Sequence, residues 1–264
     1  ALDLPIMNTW NGADRYPSDY ANYAGRPNTW GQRSSNIILQ QSDLVVAVGS
    51  RLGLQQTGFN WQQFVPLGEV IQVDIDAAEL AKPNPRLAAG IQADADQFLT
   101  DLLAHPLGEH REWLAFSQEV RARLPLSEPC NATPKGFLNP FGMVEDLSRL
   151  CGEGDHIVPC SSGGAFTVMM QAFQLRSGQT MLTDKGLASM GYGLSGAIGV
   201  AIADPKRRTV LVEGDGGFTQ NLQELATVAV NQLNLKIFLF CNEGYASIRM
   251  TQKNYFEGAY VGCD

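Results

Sequence analysis

Two polar sequences, each at the end of an apolar segment, are the residues of this chain best suited to chemistry. Gly-Asp-Gly-Gly at 214–217 follows the apolar residues 209–212, and Cys-Asn-Glu-Gly at 241–244 overlaps the end of the apolar segment 235–241. Continuous apolar sequence is typical of a buried parallel strand, so each pattern predicts a strand that ends in polar residues and glycine. Between them, residues 218–231 have apolar side chains at helical spacing.

These strand ends predict a site for a metal and a phosphate compound. Parallel strands joined by one helix are usually neighbours, so Asp215 and Asn242 should reach the same edge of the sheet. A carboxylate, a side-chain amide and a backbone carbonyl are hard donors that magnesium or calcium prefers, with phosphate oxygens and water completing the coordination. Gly214, Gly216 and Gly217 allow a ligand to approach the main chain, and the amides that open the next helix favour an anion.

This stretch resembles the thiamine-diphosphate-dependent enzymes of the acetolactate synthase and 2-oxo-acid decarboxylase superfamily. Their signature is Gly-Asp-Gly with an Asn after the following strand, and Asp215 and Asn242 match it. The resemblance implies that Mg²⁺ is held by Asp215, Asn242 and the carbonyl of Gly244. It also implies that the diphosphate contacts the amides of Gly216 and Gly217. The family often has two successive asparagines, and here the first position is Cys241.

A second segment, 186–199, is similar to the family's segment beneath the cofactor. In these enzymes a large apolar side chain holds the two cofactor rings in a V shape, and Met190 occupies that position. Ala188 matches the position whose carbonyl binds the pyrimidine amino group. Since a Met is more often an adaptable core residue, this segment supports the first motif and does not stand alone.

The same segment contains the dinucleotide fingerprint G-x-G-x-x-G at Gly191, Gly193 and Gly196. That fingerprint requires a strand that ends at the first glycine, whereas residues 183–190 separate Gly191 from the apolar strand near residue 181. The pattern therefore argues against NAD and predicts that the glycines let a helix pack closely on the sheet. A noncatalytic dinucleotide-binding α/β module is the alternative from another class.

Residues 160–166 follow a short apolar strand and open a helix. Many acetolactate synthases have Gln and His here, near the diphosphate, whereas this chain has Gly-Ala at 164–165. Ser161, Ser162 and backbone amides such as that of Gly163 would then bind the phosphate, or Ser162 simply caps the helix. The difference indicates a relative of acetolactate synthase rather than that enzyme itself.

Composition and patterning predict the domain organisation. The chain has 264 residues, of which 44% are apolar and 17% charged, which suffices for two domains. Strand patterns alternate with helical ones, so we expect an α/β fold of two three-layer α/β/α domains with mostly parallel sheets. We expect a central Rossmann-like domain at 1–125, a proline-containing linker at 126–140 and the thiamine-diphosphate-binding domain at 141–264, which the resemblance implies is C-terminally incomplete.

The first domain resembles the family's central domain, which helps to hold a flavin in acetolactate synthases. Their pattern has an arginine, two aspartates, another arginine and then Thr-Gly. This chain keeps Arg51, Thr57 and Gly58 but has Gly-Leu-Gln at 53–55 between them. The change argues against FAD, and Arg51 taken alone suits a strand-end charge as well as an adenine dinucleotide.

Other features exclude broad classes of partner. The formal charge of −8 with 19 Lys and Arg argues against nucleic-acid binding. No apolar stretch reaches membrane length, so we expect no membrane partner. Five cysteines without C-x-x-C spacing are typical of reduced thiols and predict a cytoplasmic protein.

The resemblance implies decarboxylation of a 2-oxo acid such as pyruvate followed by carboligation, and a 2-oxo-acid decarboxylase that does not ligate is the nearest alternative. In these enzymes a glutamate of an N-terminal pyrimidine-binding domain activates the cofactor ring, and no residue here matches it. We therefore assign no catalytic residue and interpret the chain as a fragment that is inactive alone. Its expected partners are the pyrimidine-binding domain of the intact enzyme and further subunits of a homo-dimer or tetramer.

Overall fold

The computed structural model describes residues 3–263 of the chain. Two compact units are present, one formed by residues 3–9 and Tyr20–Pro125 and the other by Trp10–Asp19 and 126–263. The sequence assigned Trp10–Asp19 to the first domain, whereas these residues pack with the second unit. All strand pairings within residues 3–263 are parallel and helices flank the sheets. The predicted α/β class with mostly parallel sheets is therefore confirmed.

The first unit contains a two-stranded and a three-stranded parallel sheet, with orders β1-β2 and β3-β4-β5. Its buried side chains include Ala47 and Val70 from the larger sheet and Leu39 from the first helix. In chain order its elements are β1 (Ile6–Met7), β2 (Tyr23–Gly25), α1 (Arg33–Gln40), β3 (Leu44–Val48), α2 (Leu54–Thr57), a 3₁₀ turn (Trp61–Gln63), β4 (Glu69–Asp74), α3 (Ala77–Leu80), β5 (Ala89–Gln92), α4 (Ala95–Leu103) and α5 (Arg111–Arg123).

The second unit is built on a four-stranded parallel sheet with the order β7-β6-β8-β9. In chain order its elements are 3₁₀ turns at Trp10–Gly12 and Pro129–Asn131, then α6 (Pro140–Leu150), β6 (His156–Val158), α7 (Gly163–Ala172), β7 (Thr180–Met181), α8 (Tyr192–Ala203), β8 (Thr209–Gly214), α9 (Asp215–Phe218), a 3₁₀ segment (Thr219–Glu224), α10 (Leu225–Val230), β9 (Leu235–Phe240) and α11 (Ala246–Tyr255).

Burial on both faces explains why β8 has β-branched and apolar residues from Thr209 to Val212. Thr209, Val210, Leu211 and Val212 are all buried, because helices cover both sides of a parallel sheet. On one side Val210 and Val212 join a core with the side chains of α6 and α7. On the other side Leu211 packs with α8 residues and with Phe218.

The strand order creates a crevice at the carboxyl ends of β6 and β8. From β6 the chain passes through α7 to β7 on one side, and from β8 it continues to β9 on the other. The two connections diverge at this point, which is where open α/β sheets usually bind ligands. The sheet thus places residues 159–163, after β6, beside residues 214–217, after β8.

The helix predicted over 218–231 is interrupted. The structure has the short helix α9, a 3₁₀ segment in which Asn221 has non-helical angles (φ −133°, ψ 27°), and then α10. The Asn221 side chain donates hydrogen bonds to the Gly191 carbonyl (2.9 Å) and to Ser195 Oγ (2.8 Å). These bonds offer the chain an alternative to regular helix, as Asn side chains often do.

Residues 3–263 include no helix that is long and apolar enough to cross a membrane. All five cysteines are free thiols. His156 begins β6 and is buried. Its ring lies 3.3 Å from the Asp204 carboxylate and contacts the Thr180 hydroxyl, so a hydrogen-bonded structural role accounts for it.

Phe166→Ala should destabilise the second unit by about 3–5 kcal/mol, because it leaves a cavity in the core. The Phe166 ring is fully buried and packs edge-on against Trp10, with 5.1 Å between ring centroids. Phe137→Ala is the matched control, since the Phe137 ring is 76% exposed. Urea unfolding measures both variants, and an equal effect of the two would contradict the assigned core.

Candidate functional site

The carboxylate of Asp215 connects the ends of two neighbouring strands. Asp215 is the first residue after β8, and its Oδ1 accepts a hydrogen bond from the Gly216 amide (2.8 Å). Its Oδ2 accepts hydrogen bonds from the amides of Asn242 (3.0 Å) and Gly244 (3.1 Å), which follow β9. The structure thus brings together the three residues that the resemblance assigned to the metal.

These residues have the donor chemistry of a magnesium–phosphate site. Asp215 offers a carboxylate, Asn242 an amide oxygen and Gly244 a main-chain carbonyl. Within residues 3–263 no three His, Cys, Asp or Glu side chains cluster as metal ligands. Mg²⁺ is commonly held by one or two carboxylates together with the phosphates of a bound compound. A site with one carboxylate fits that arrangement, because a phosphate would complete the coordination.

We call Gly214–Gly217 the diphosphate loop after the binding role predicted for it. One position of this loop, Gly216, is covered by a side chain, and another, Gly214, is open. A Cβ added to Gly216 would lie 2.5 Å from the Tyr245 ring, whereas one added to Gly214 has no described atom within 4 Å. Gln220 Nε2 donates a hydrogen bond to the Tyr245 hydroxyl (2.7 Å) and holds the ring there. The sequence did not single out Tyr245 or Gln220, and their contact with the loop becomes visible only in three dimensions.

The loop after β6 lies at the adjoining strand end and leads into α7. Ser161 is buried, and its hydroxyl donates a hydrogen bond to the Ser189 carbonyl (2.6 Å). Ser162 occupies the N-cap position of α7, yet its side chain makes no capping hydrogen bond within the described chain. Gly163 begins α7 with φ +76°, a conformation that favours glycine. The hydrogen bond from Ser161 therefore attaches this loop to the segment that contains Ala188 and Met190.

Met190 and Ala188 lie in the segment that precedes α8. The Met190 side chain is 43% exposed in this structure, so it is not a core residue of the unit. Ala188 has φ +58°, and its amide donates a hydrogen bond to the Asp184 carbonyl (2.7 Å). An accessible apolar side chain beside a fixed turn is compatible with contact to the rings of a cofactor.

A buried carboxyl group, which the sequence gave no ligand role, lies beneath these loops. Glu213 is 3% exposed near the end of β8, and burial raises its pKa to about 7. The Cys160 thiol and the amides of Gly214 and Gly193 act against this rise. Burial likewise raises the pKa of the Cys160 thiol, so it is unsuited to act as a nucleophile at neutral pH. The only sign of this group in the sequence was one charged residue, Glu213, directly after the β-branched and apolar residues 209–212.

Packing accounts for the three glycines of the apparent dinucleotide fingerprint. A Cβ on Gly193 would lie 1.7 Å from Glu213 Oε2, and one on Gly196 would lie 2.9 Å from the Tyr192 ring. Gly191 has φ +87° and is covered by the Asn221 side chain. Since α8 begins at Tyr192 and not directly after a strand, the geometry lacks the strand–turn–helix that binds a dinucleotide.

Arg51, the residue considered for FAD, is engaged within the first unit. Its Nε lies 2.9 Å from Glu79 Oε1, and Lys82 binds the same carboxylate. The Lys82 hydrogen bond and the charges of both cations lower the pKa of Glu79. The exposed Arg51 is therefore paired with a carboxylate that is largely buried.

The fold and site define an α/β protein with a loop and strand-end site suited to a phosphate-containing cofactor. The chain belongs to the thiamine pyrophosphate enzyme family, pyrophosphate being another name for diphosphate. Residues 1–102 match the model described as "Thiamine pyrophosphate enzyme, central domain", and residues 162–264 match "Thiamine pyrophosphate enzyme, C-terminal TPP binding domain". The candidate site lies almost entirely within the second match.

Acetolactate synthase large subunits are among the curated relatives of the chain. The chain is 34% identical over 258 residues to isozyme 1 of Escherichia coli K12, a match that covers 96% of this chain and 44% of the relative. It is 30% identical over 262 residues to isozyme 2 of the same organism, covering 98% and 46%. A probable large subunit of Methanocaldococcus jannaschii is 29% identical over 264 residues, covering 97% and 44%. The chain thus spans less than half the length of these relatives.

Gly216→Ala should destabilise the protein by about 1–3 kcal/mol, because the added methyl group overlaps the Tyr245 ring. Gly214→Ala is the matched control in the same loop and should change the free energy of unfolding by less than about 0.5 kcal/mol. Urea unfolding of both variants makes the comparison. Equal stabilities would show that Tyr245 does not rest on the loop.

Proposed function

We propose that this chain is part of an acetolactate synthase-like enzyme that uses thiamine diphosphate and Mg²⁺. The enzyme would decarboxylate a 2-oxo acid such as pyruvate and ligate the remaining fragment to an acceptor carbonyl, which combines lyase and transferase chemistry. One observation carries the proposal: the Asp215 carboxylate meets residues 242–244 at the carboxyl ends of β8 and β9. The names of the curated relatives support the choice of reaction.

In this proposal the metal is held by the Asp215 carboxylate, the Asn242 side-chain oxygen and the Gly244 carbonyl. The same metal would also bind the diphosphate, so that binding of the metal and of the cofactor would depend on each other. The Gly217 amide, at the N-terminus of α9, would face the negative charge, whereas the Gly216 amide donates to Asp215 Oδ1. When bound, thiamine diphosphate would stabilise the carbanion that loss of carbon dioxide leaves.

The remaining residues bind and orient. Ser161, Ser162 and Gly163 would contact the diphosphate from the β6 side, where the hydrogen bond from Ser161 to Ser189 fixes the loop. The Ala188 carbonyl would accept a hydrogen bond from the pyrimidine amino group, and Met190 would support the two rings. No residue among these 264 is assigned proton transfer, because none matches the activating glutamate.

Three further points belong to the proposal. FAD is not included, since Arg51 is engaged with Glu79. A homo-dimer or tetramer, with a pyrimidine-binding domain supplied by the intact enzyme, follows from the resemblance, and five cysteines without C-x-x-C spacing favour the cytoplasm. Decarboxylation without ligation is the second candidate, and product analysis of the whole enzyme with pyruvate separates the two.

Asp215→Asn should weaken Mg²⁺ and thiamine diphosphate binding together, because it removes the anionic oxygen that compensates a metal bridged to phosphate. Glu213→Gln should weaken binding less, since Glu213 is buried and donates no ligand in this site. Calorimetric titration of the whole enzyme with cofactor, at saturating and at chelated Mg²⁺, measures both effects. Asp101→Asn, an exposed change in α4, is the control and should bind as the wild type does.

The outcomes decide the assignment. Unchanged affinity in Asp215→Asn would defeat the metal site, and a larger loss in Glu213→Gln than in Asp215→Asn would move the metal away from Asp215. Loss of cofactor affinity without loss of metal dependence would contradict the bridging role.

Residues 1–264 alone should consume no pyruvate, even with cofactor and Mg²⁺ present, because they contain no match to the activating glutamate. An assay of dissolved pyruvate against time, with an intact acetolactate synthase as positive control, tests this expectation. Sustained turnover by the chain would show that the activating group lies within these residues.

A further inference from the structure

The Glu213 carboxyl group separates two segments of the proposed cofactor site. On one side is Gly193, in the first turn of α8 and three residues after Met190, where an added Cβ would lie 1.7 Å from Glu213 Oε2. On the other side is Gly217 of the diphosphate loop, where an added Cβ would lie 2.6 Å from Oε1. The two glycines leave room for the carboxyl group, so its size sets how closely the segments approach.

Packing alone does not account for a carboxyl group at this place. Burying a polar group is unfavourable unless it is hydrogen-bonded. No hydrogen bond of normal geometry reaches Glu213 Oε2 among the described atoms, although the Cys160 thiol and the amides of Gly193 and Gly214 lie close enough to lower the pKa of the carboxyl group. The residues that precede Glu213 in β8 are apolar or Thr. An apolar side chain would fill similar volume without that cost. The side chain is therefore better explained by the space that it holds between Gly193 and Gly217 than by the burial of apolar surface.

A second, separate contact holds the same segments. Asn221, which follows the diphosphate loop, donates hydrogen bonds to the Gly191 carbonyl and to Ser195 Oγ. Glu213, which precedes the diphosphate loop, and Asn221, which follows it, therefore both contact the start of α8. Glu213 is buried, whereas Asn221 is partly exposed.

We propose that Glu213 is a positioning residue that sets the spacing between the diphosphate loop and the segment with Ala188 and Met190. This inference rests on the proposed function, which assigns the two segments to opposite ends of one ligand. A ligand that spans both segments binds well only when their separation matches its length, so a small change in spacing reduces affinity. Glu213 acts through Gly193 and Gly217 and does not touch the ligand.

The test compares variants that differ in size at this point. Glu213→Gln keeps the shape and should bind thiamine diphosphate with Mg²⁺ within about threefold of wild type, whereas Glu213→Ala should lose about 10- to 100-fold, as is common when a supporting residue is removed. Gly193→Ala alone should unfold at lower temperature. In the double variant Glu213→Ala/Gly193→Ala, the methyl group added at position 193 occupies the space that the Glu213 carboxyl group has left. The thermal stability should therefore recover, while the affinity for thiamine diphosphate stays low.

Each outcome decides the inference. Recovery of both stability and affinity in the double variant would show that Glu213 only fills volume, and wild-type affinity in Glu213→Ala would also overturn the proposal. Glu213→Asp, one methylene shorter, replaces Glu213→Ala if that variant does not fold, and it should lose affinity relative to Glu213→Gln. The exposed variant Glu153→Ala is the control and should match wild type.

Hydrogen exchange of the ligand-free chain separates this inference from the proposed function. Glu213→Ala should speed exchange in peptides covering 186–195 and 214–221 but not in α6, and Glu213→Gln should leave all three as in wild type. If wild type binds no cofactor, the proposed function fails while this exchange pattern still supports the spacing role. If Glu213→Ala changed the exchange rate equally in all three peptides, the spacing role would be overturned even if the cofactor binds.

Discussion

The hydrogen bonds to the Asp215 carboxylate are the interaction on which the candidate site depends. Three backbone amides, from Gly216, Asn242 and Gly244, point at one side chain, which fixes the two strand ends relative to each other. Bonds from amides to a charged acceptor are stronger than those between neutral groups. The arrangement gives the two loops a definite shape before any ligand is present, and this reduces the ordering that binding would otherwise require.

The sequence predicted what is local in this structure. Continuous apolar residues identified β8 and β9, and the position of Asp215 and Asn242 after these strands indicated their meeting at one sheet edge. The break at Asn221 was not predicted, because it depends on acceptors thirty and twenty-six residues away in the chain, at Gly191 and Ser195. Tyr245 against Gly216 was missed for the same reason, since apolar periodicity carries no information about such contacts.

The glycines in the second unit illustrate how one pattern supports different chemistry. Gly191, Gly193 and Gly196 have the spacing of a dinucleotide site, yet each faces a side chain, from Asn221, Glu213 and Tyr192 respectively. In a dinucleotide site, such glycines would instead admit a phosphate and a tight strand–helix turn. The two kinds of site are therefore distinguished by the group that contacts each glycine, and not by the spacing of the glycines.

The packing of Trp10–Asp19 with the second unit affects how the chain is made. Trp10 leaves the ribosome before nearly all of the first unit, while its ring partner Phe166 is synthesised much later. At a synthesis rate of roughly 5–20 residues per second, Phe166 is made on the order of ten seconds after Trp10. During that interval a large apolar ring remains exposed on the nascent chain, so chaperones that bind apolar segments have a target near Trp10 until translation passes α7.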